Sequence, residues 1–144
     1  MAGTVPFSIR LSRALDAAVT EEAKRTKRSK GAVLEALAEE AMRARRFPGI
    51  AFRGDDWNRR AWVIGTAFDV WELIQAVQDL GGTERVVKEG GGLTRAQVAV
   101  AEAYYRAYGD EVDALIDDNR RTLADLAQDY PTFAVQPPAT GRRR

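Results

Sequence analysis

The chain contains no cysteine and no histidine. Disulfides, thiol nucleophiles, thiolate or imidazole zinc sites and imidazole-based catalytic triads are therefore excluded. Any catalysis would fall to carboxylates, Lys, Ser, Thr or Tyr. Long apolar runs are also missing: the longest, from Ala61 to Trp71, is interrupted by Asp69 and is too short to span a bilayer. No apolar signal core stands at the N-terminus, so the expected setting is cytoplasmic and away from membranes. Charge of one sign is scarce, the net being +1 over 144 residues. That balance hides a gradient. Residues 1–46 carry ten Lys or Arg against six acids, residues 47–109 seven against eight, and residues 110–144 five against seven. A surface for a polyanion is thus expected at the N-terminal end. With 45% hydrophobic and 30% charged residues, the composition is that of one ordinary folded domain or two small ones.

What is present begins with an alternation. Val5, Phe7, Ile9 and Leu11 fall on every second position, which puts them on one face of a strand and Thr4, Pro6, Ser8 and Arg10 on the other. The period then changes. Ser12 is a good N-cap, and Leu15, Ala18, Val19 and Ala23 continue at helical spacing. A basic run of Lys24, Arg25, Lys27, Arg28 and Lys30 straddles a second cap at Ser29, after which Val33, Leu34, Leu37, Ala38, Ala41 and Met42 form another apolar stripe. One strand and two short helices cannot satisfy a strand edge or close a core alone. Two copies can, by pairing their strands antiparallel over Val5, Phe7, Ile9, Leu11, Leu34 and Leu37. Such a ribbon fits the DNA major groove.

Through Phe7-Ser8-Ile9-Arg10-Leu11 and Arg28-Ser29, the segment resembles the ribbon-helix-helix family of dimeric DNA-binding proteins. The resemblance implies that Thr4, Pro6, Ser8 and Arg10 face the bases. It also implies that Ser29, with the amides of Lys30 and Gly31 and the side chains of Lys27, Arg28 and Lys30, meets the phosphates. Pro6 offers only apolar contact, and Lys27 stands at a turn where the family often has Gly, a position that strains any other residue if its φ is positive.

Pro48 and Gly49 open a linker expected over 47–59. Trp62, Ile64, Thr66 and Phe68 have strand character, and a helix is expected from Val70 to Leu80, stopped by Gly81 and Gly82. A short helix from Thr83 runs to Gly90, and the capping-box pair Thr94 and Gln97 opens another through Val98, Ala101, Ala103, Tyr104 and Tyr105. Asp110 is expected to cap a further helix carrying Val112, Leu115, Ile116, Leu123 and Leu126. In Ile64-Gly65-Thr66, Val70-Trp71, Leu93-Thr94, Ala103-Tyr104-Tyr105 and Glu111-Val112-Asp113, residues 60–117 are similar to small helix-turn-helix domains of bacterial VapB-like type II antitoxins, which pair with PIN-type ribonuclease toxins. That resemblance implies a ribonuclease partner and, from the tail, the contacts Tyr130, Phe133, Val135, Arg142, Arg143 and Arg144.

The expected fold is mainly α with a short N-terminal strand: a ribbon-helix-helix module over 1–46, the linker, a helical domain over 60–129 and a flexible tail over 130–144. The expected function is a homodimeric DNA-binding antitoxin and autorepressor with no cofactor, no metal and no enzymatic activity. Asp55, Asp56, Asp69 and Glu72 are the best carboxylate group for Mg²⁺, but Asp69 and Glu72 equally suit the first turn of a helix. The alternatives are a repressor or partition protein without a toxin, and an interaction scaffold.

Overall fold

Two serines start the first two helices. Ser12 Oγ accepts the Leu15 amide at 3.2 Å and opens α1, Arg13–Thr26; Ser29 Oγ accepts the Ala32 amide at 3.1 Å and opens α2, Lys30–Arg46. In this computed structural model, which describes residues 3–121 and 123–129, the chain is mainly helical with one small antiparallel sheet. Between α1 and α2, Lys27 adopts the left-handed conformation at φ 54°. The Arg28 amide reaches back to the Ala23 carbonyl at 3.0 Å and the Lys27 amide to Lys24 at 3.3 Å, a Schellman closure built on a non-glycine residue. The two helices share a very small core of Val19, Ala23 and Val33, with Leu34 against it.

The expected N-terminal strand is not seen. Among the described residues, 3–11 form neither helix nor strand and make no hydrogen bond or ion pair. Both strands lie further on. β1, Ile50–Arg53, pairs antiparallel with β2, Arg60–Val63, with Ile50 opposite Val63 and Arg53 opposite Arg60. The stretch 47–59, read above as a linker, therefore holds a strand and the tip of a hairpin, because Ile50 and Phe52 supply the alternate apolar positions that β2 needs opposite it. Gly54 closes the tip at φ 112°, where a Cβ would collide with the Asn58 carbonyl.

The remaining helices are α3 (Val70–Leu80), α4 (Thr83–Glu89), α5 (Arg95–Ala107), α6 (Gly109–Arg120) and α7 (Leu123–Asp129). Gly81 ends α3 in the left-handed region, and the Thr94–Gln97 capping box starts α5. Asp110 does not cap α6. That helix begins one residue earlier, directly after Tyr108, and ends at Arg120 with Arg121 extended as its cap, so the single helix expected through Leu126 is two. α5 is the centre of a larger core: Val98, Ala101 and Tyr104 are buried with Ile50, Val63, Val70, Leu73, Val86, Val112 and Ile116.

Asp69 ties the sheet to α3. Its buried carboxylate accepts Arg53 Nε at 2.6 Å and Arg60 Nε at 2.8 Å, while its amide donates to Glu72 Oε2 at 2.7 Å. These two acids, the nearest approach to a cation site in the sequence, are thus used to join strand and helix. Asp69→Asn is expected to cost about 1–2 kcal/mol, less than a fully buried pair because both arginines can rehydrate. A denaturant midpoint equal to that of the parent chain would contradict this role.

Candidate nucleic-acid interface

The N-terminal segment and the α1–α2 turn hold the residues expected to meet DNA. Thr4, Pro6, Ser8 and Arg10 are all exposed, but so is the opposite set: Val5 is 85%, Phe7 84% and Ile9 63% exposed. Only Leu11 is half-buried. Three large apolar side chains at alternate positions in water are costly to leave uncovered, at about 1.5–3 kcal/mol for each that could be fully buried. Met42 (67%) and Leu37 (50%) leave α2 similarly uncovered.

Of the two α2 leucines expected in the dimer core, Leu34 packs on its own chain's Val19–Ala23–Val33 cluster. Leu37 lines a cleft facing the β1–β2 hairpin. Both therefore have neighbours within the chain, because α1 and the hairpin tip come closer to that helix face than spacing alone reveals.

At the turn, Ser29 Oγ and its carbonyl take the amides of Ala32 and Val33. The amides of Lys30 and Gly31 remain as first-turn donors, and a Cβ at Gly31 would meet only Ser29 Oγ, at 4.0 Å. Lys27 is exposed, and its side chain is unpaired among the described residues. The other two cations are engaged. Lys30 Nζ forms an ion pair with Asp16 of α1. The Arg28 guanidinium lies 5.8 Å from the centre of the Trp57 ring, and its Nε is buried with no hydrogen-bond partner. Tyr130, Phe133, Val135, Arg142, Arg143 and Arg144, the expected toxin contacts, lie outside the described residues.

The sequence reading missed what the hairpin tip does. Asp56 Oδ1 and Oδ2 accept Arg25 Nη2 at 2.8 Å and Nη1 at 3.0 Å. Hydrogen bonding by Arg25 holds the Asp56 carboxyl below its usual range against the opposing effect of burial, with Arg28 and Arg59 adding to it. The signal was available: Gly54, two acids and Asn58 spell a tight turn. Its meeting with α1, 31 residues earlier, was not.

Two more arginines join the N-terminal helices to the larger core. Arg59 Nε and Nη2 bind both oxygens of Glu40 at 2.5 and 3.0 Å. Arg43 Nη1 donates to Tyr104 Oη and to Glu111 Oε2, each at 2.7 Å, Nη2 reaches Glu39 at 2.5 Å, and the guanidinium lies 3.9 Å from the centre of the Tyr108 ring. Tyr104, wholly buried, has its phenol pushed up by burial and by the Glu111 charge. Arg25–Asp56, Arg59–Glu40 and Arg43–Glu111 are the ion pairs that bridge the two cores among the described residues.

In the helical domain, α5 carries Arg95 and Arg106, and Arg95 is paired with Glu84 of α4 at 2.6 Å. Its Val98–Ala101–Tyr104 face is turned into the core. Among the described residues no group of three or more acids is arranged to hold a metal ion, and no helix is long and apolar enough to cross a membrane. Compared with protein-family models, characterised proteins and solved structures, the chain shows no significant match.

Proposed function

We propose that the chain is a dimeric, sequence-specific DNA-binding antitoxin that represses its own operon and neutralises a partner ribonuclease. The observation that carries the DNA half is the exposure of Val5, Phe7 and Ile9, which have no partner among the described residues. Pairing of two such segments covers these side chains, satisfies both backbones and presents Thr4, Pro6, Ser8 and Arg10 outward as a groove-sized ribbon. Lys27 and the free amides of Lys30 and Gly31 then fix the frame on phosphates. The ribonuclease half rests on the sequence alone, on the resemblance over residues 60–117 and on the three terminal arginines, whose charge suits an acidic catalytic pocket.

The test is a mobility-shift titration on the chain's own promoter region and on random DNA, with and without the co-expressed neighbouring reading frame. Within it, Arg10→Ala is expected to lose about 1–3 kcal/mol on the promoter and to relax base preference. Equal losses on both DNAs would remove Arg10 from base reading. Promoter preference without a co-purifying partner points to a stand-alone repressor or partition protein. No preference at any salt favours an interaction scaffold, a reading supported by the pairing of Lys30 with Asp16 and of Arg25 with Asp56.

A further inference from the structure

The hairpin tip sets an acid against the basic run. Arg25 lies in the last turn of α1, four residues before Ser29, and carries two carboxylates. Glu22, from the same helix, takes the Nε–Nη2 side of the guanidinium; Asp56 takes its Nη1–Nη2 end. A guanidinium fork binds phosphate through the same parallel donors that it offers a carboxylate, so one end cannot hold both. We propose that Arg25 is a DNA-phosphate contact held in reserve, its outer end occupied by Asp56 until a phosphate displaces it.

The proposal rests on the DNA-binding reading above and adds a control to the same surface. The tip is fixed where it must be for this purpose. Arg59 anchors its base on Glu40 and on the Phe52 and Gly54 carbonyls, Gly54 forces the turn closed, and Trp57 lies beside Arg28 while itself 76% exposed. The pair is also weak enough to yield. The Arg25 side chain is 57% and that of Asp56 31% exposed, and ion pairs in water contribute little, whereas a phosphate contact gains the release of a condensed counterion. The cleft beside the pair, about 280 Å³, balances Glu22, Glu40 and Asp56 against Arg25, Arg28 and Arg59. Neutralising Asp56 or Glu40 shifts that balance equally, so a gain confined to Asp56→Asn reports the freed Arg25 fork and not the net charge.

The experiment titrates the full chain against promoter and random DNA over a range of salt, comparing the parent, Asp56→Asn, Arg25→Gln, the double variant and Glu40→Gln. Asp56→Asn is expected to tighten both DNAs about tenfold near 0.1 M salt and to steepen the salt dependence by about one phosphate per subunit. Arg25→Gln in the same chain abolishes the gain. Glu40→Gln, which loosens the neighbouring bridge and leaves Arg25–Asp56 intact, produces none. A gain that survives Arg25→Gln, or no gain from Asp56→Asn in a parent that binds DNA, overturns the proposal. Loss of promoter preference in the parent with the Asp56 effect retained overturns the repressor reading alone. Absence of DNA binding in every variant overturns both.

Discussion

Phe7→Lys is expected to turn the proposed dimer into a monomer and to lower promoter affinity by about a thousandfold or more, down to the non-specific level. Phe7 is the bulkiest of the three uncovered alternating side chains, and two-fold symmetry places each of its interactions twice in a paired ribbon. Lysine there would bring two like charges beneath one sheet, while the lost ring removes about 1.5–3 kcal/mol of burial per copy. The monomer has no means of recovering this, since the α1–α2 core consists of little beyond Val19, Ala23, Val33 and part of Leu34. Light scattering and the promoter titration read the two consequences separately. Thr4→Lys, on the opposite face of the alternation, should leave the dimer intact and strengthen binding to any DNA. A parent chain that is monomeric at about 50 μM, well above the level at which interfaces of ordinary size assemble, would sink the ribbon.

The second large effect is expected at Arg43, the most enclosed cation of the bridge between the cores. Arg43→Met should cost about 2–3 kcal/mol, or roughly 5–10 °C in melting temperature. A fully buried partner left without its counter-charge would cost more, but Glu111 and Glu39 are 41% and 59% exposed and can take up water. The loss therefore comes chiefly from the Tyr104 hydroxyl, which loses its donor, and from the Tyr108 ring, which loses the cation above it. Arg43→Lys should recover less than half, because an ammonium cannot serve Tyr104, Glu111 and Glu39 together from a planar fork. Tyr104→Phe separates the terms: in the Arg43→Met chain it removes only the remaining bond from Tyr104 Oη to Glu111 Oε1, 3.0 Å, so its further loss should be smaller than in the parent chain. Additive losses in that double variant would show that the two residues act independently.

How much of this was legible in advance depended on the range of the interaction concerned. Ser12, Ser29 and Thr94 announced their helices because a cap is satisfied within three residues, and Gly81 ended α3 because only its own φ was at issue. The positive φ of Lys27 was likewise visible as a question posed by the turn. β1 was missed since a four-residue strand is defined by its partner, and the loop between β1 and β2 reads as a linker when taken alone. The break between α6 and α7 was missed because an apolar stripe continues across it.

For the candidate site the division is sharper. The apolar alternation, the basic turn and the absence of every cysteine- or histidine-based chemistry followed from the sequence, because each depends on side-chain type and near spacing alone. The pairing of Arg25 with Asp56, the capture of Lys30 by Asp16 and the lodging of Arg43 among Tyr104, Tyr108 and Glu111 did not. Charges far apart in sequence carry no record of which opposite charge they will meet. Only the packing of α1, α2 and the hairpin on one another and on the larger core brings them within a hydrogen bond, and it thereby decides which cations of the basic run stay free for an anion.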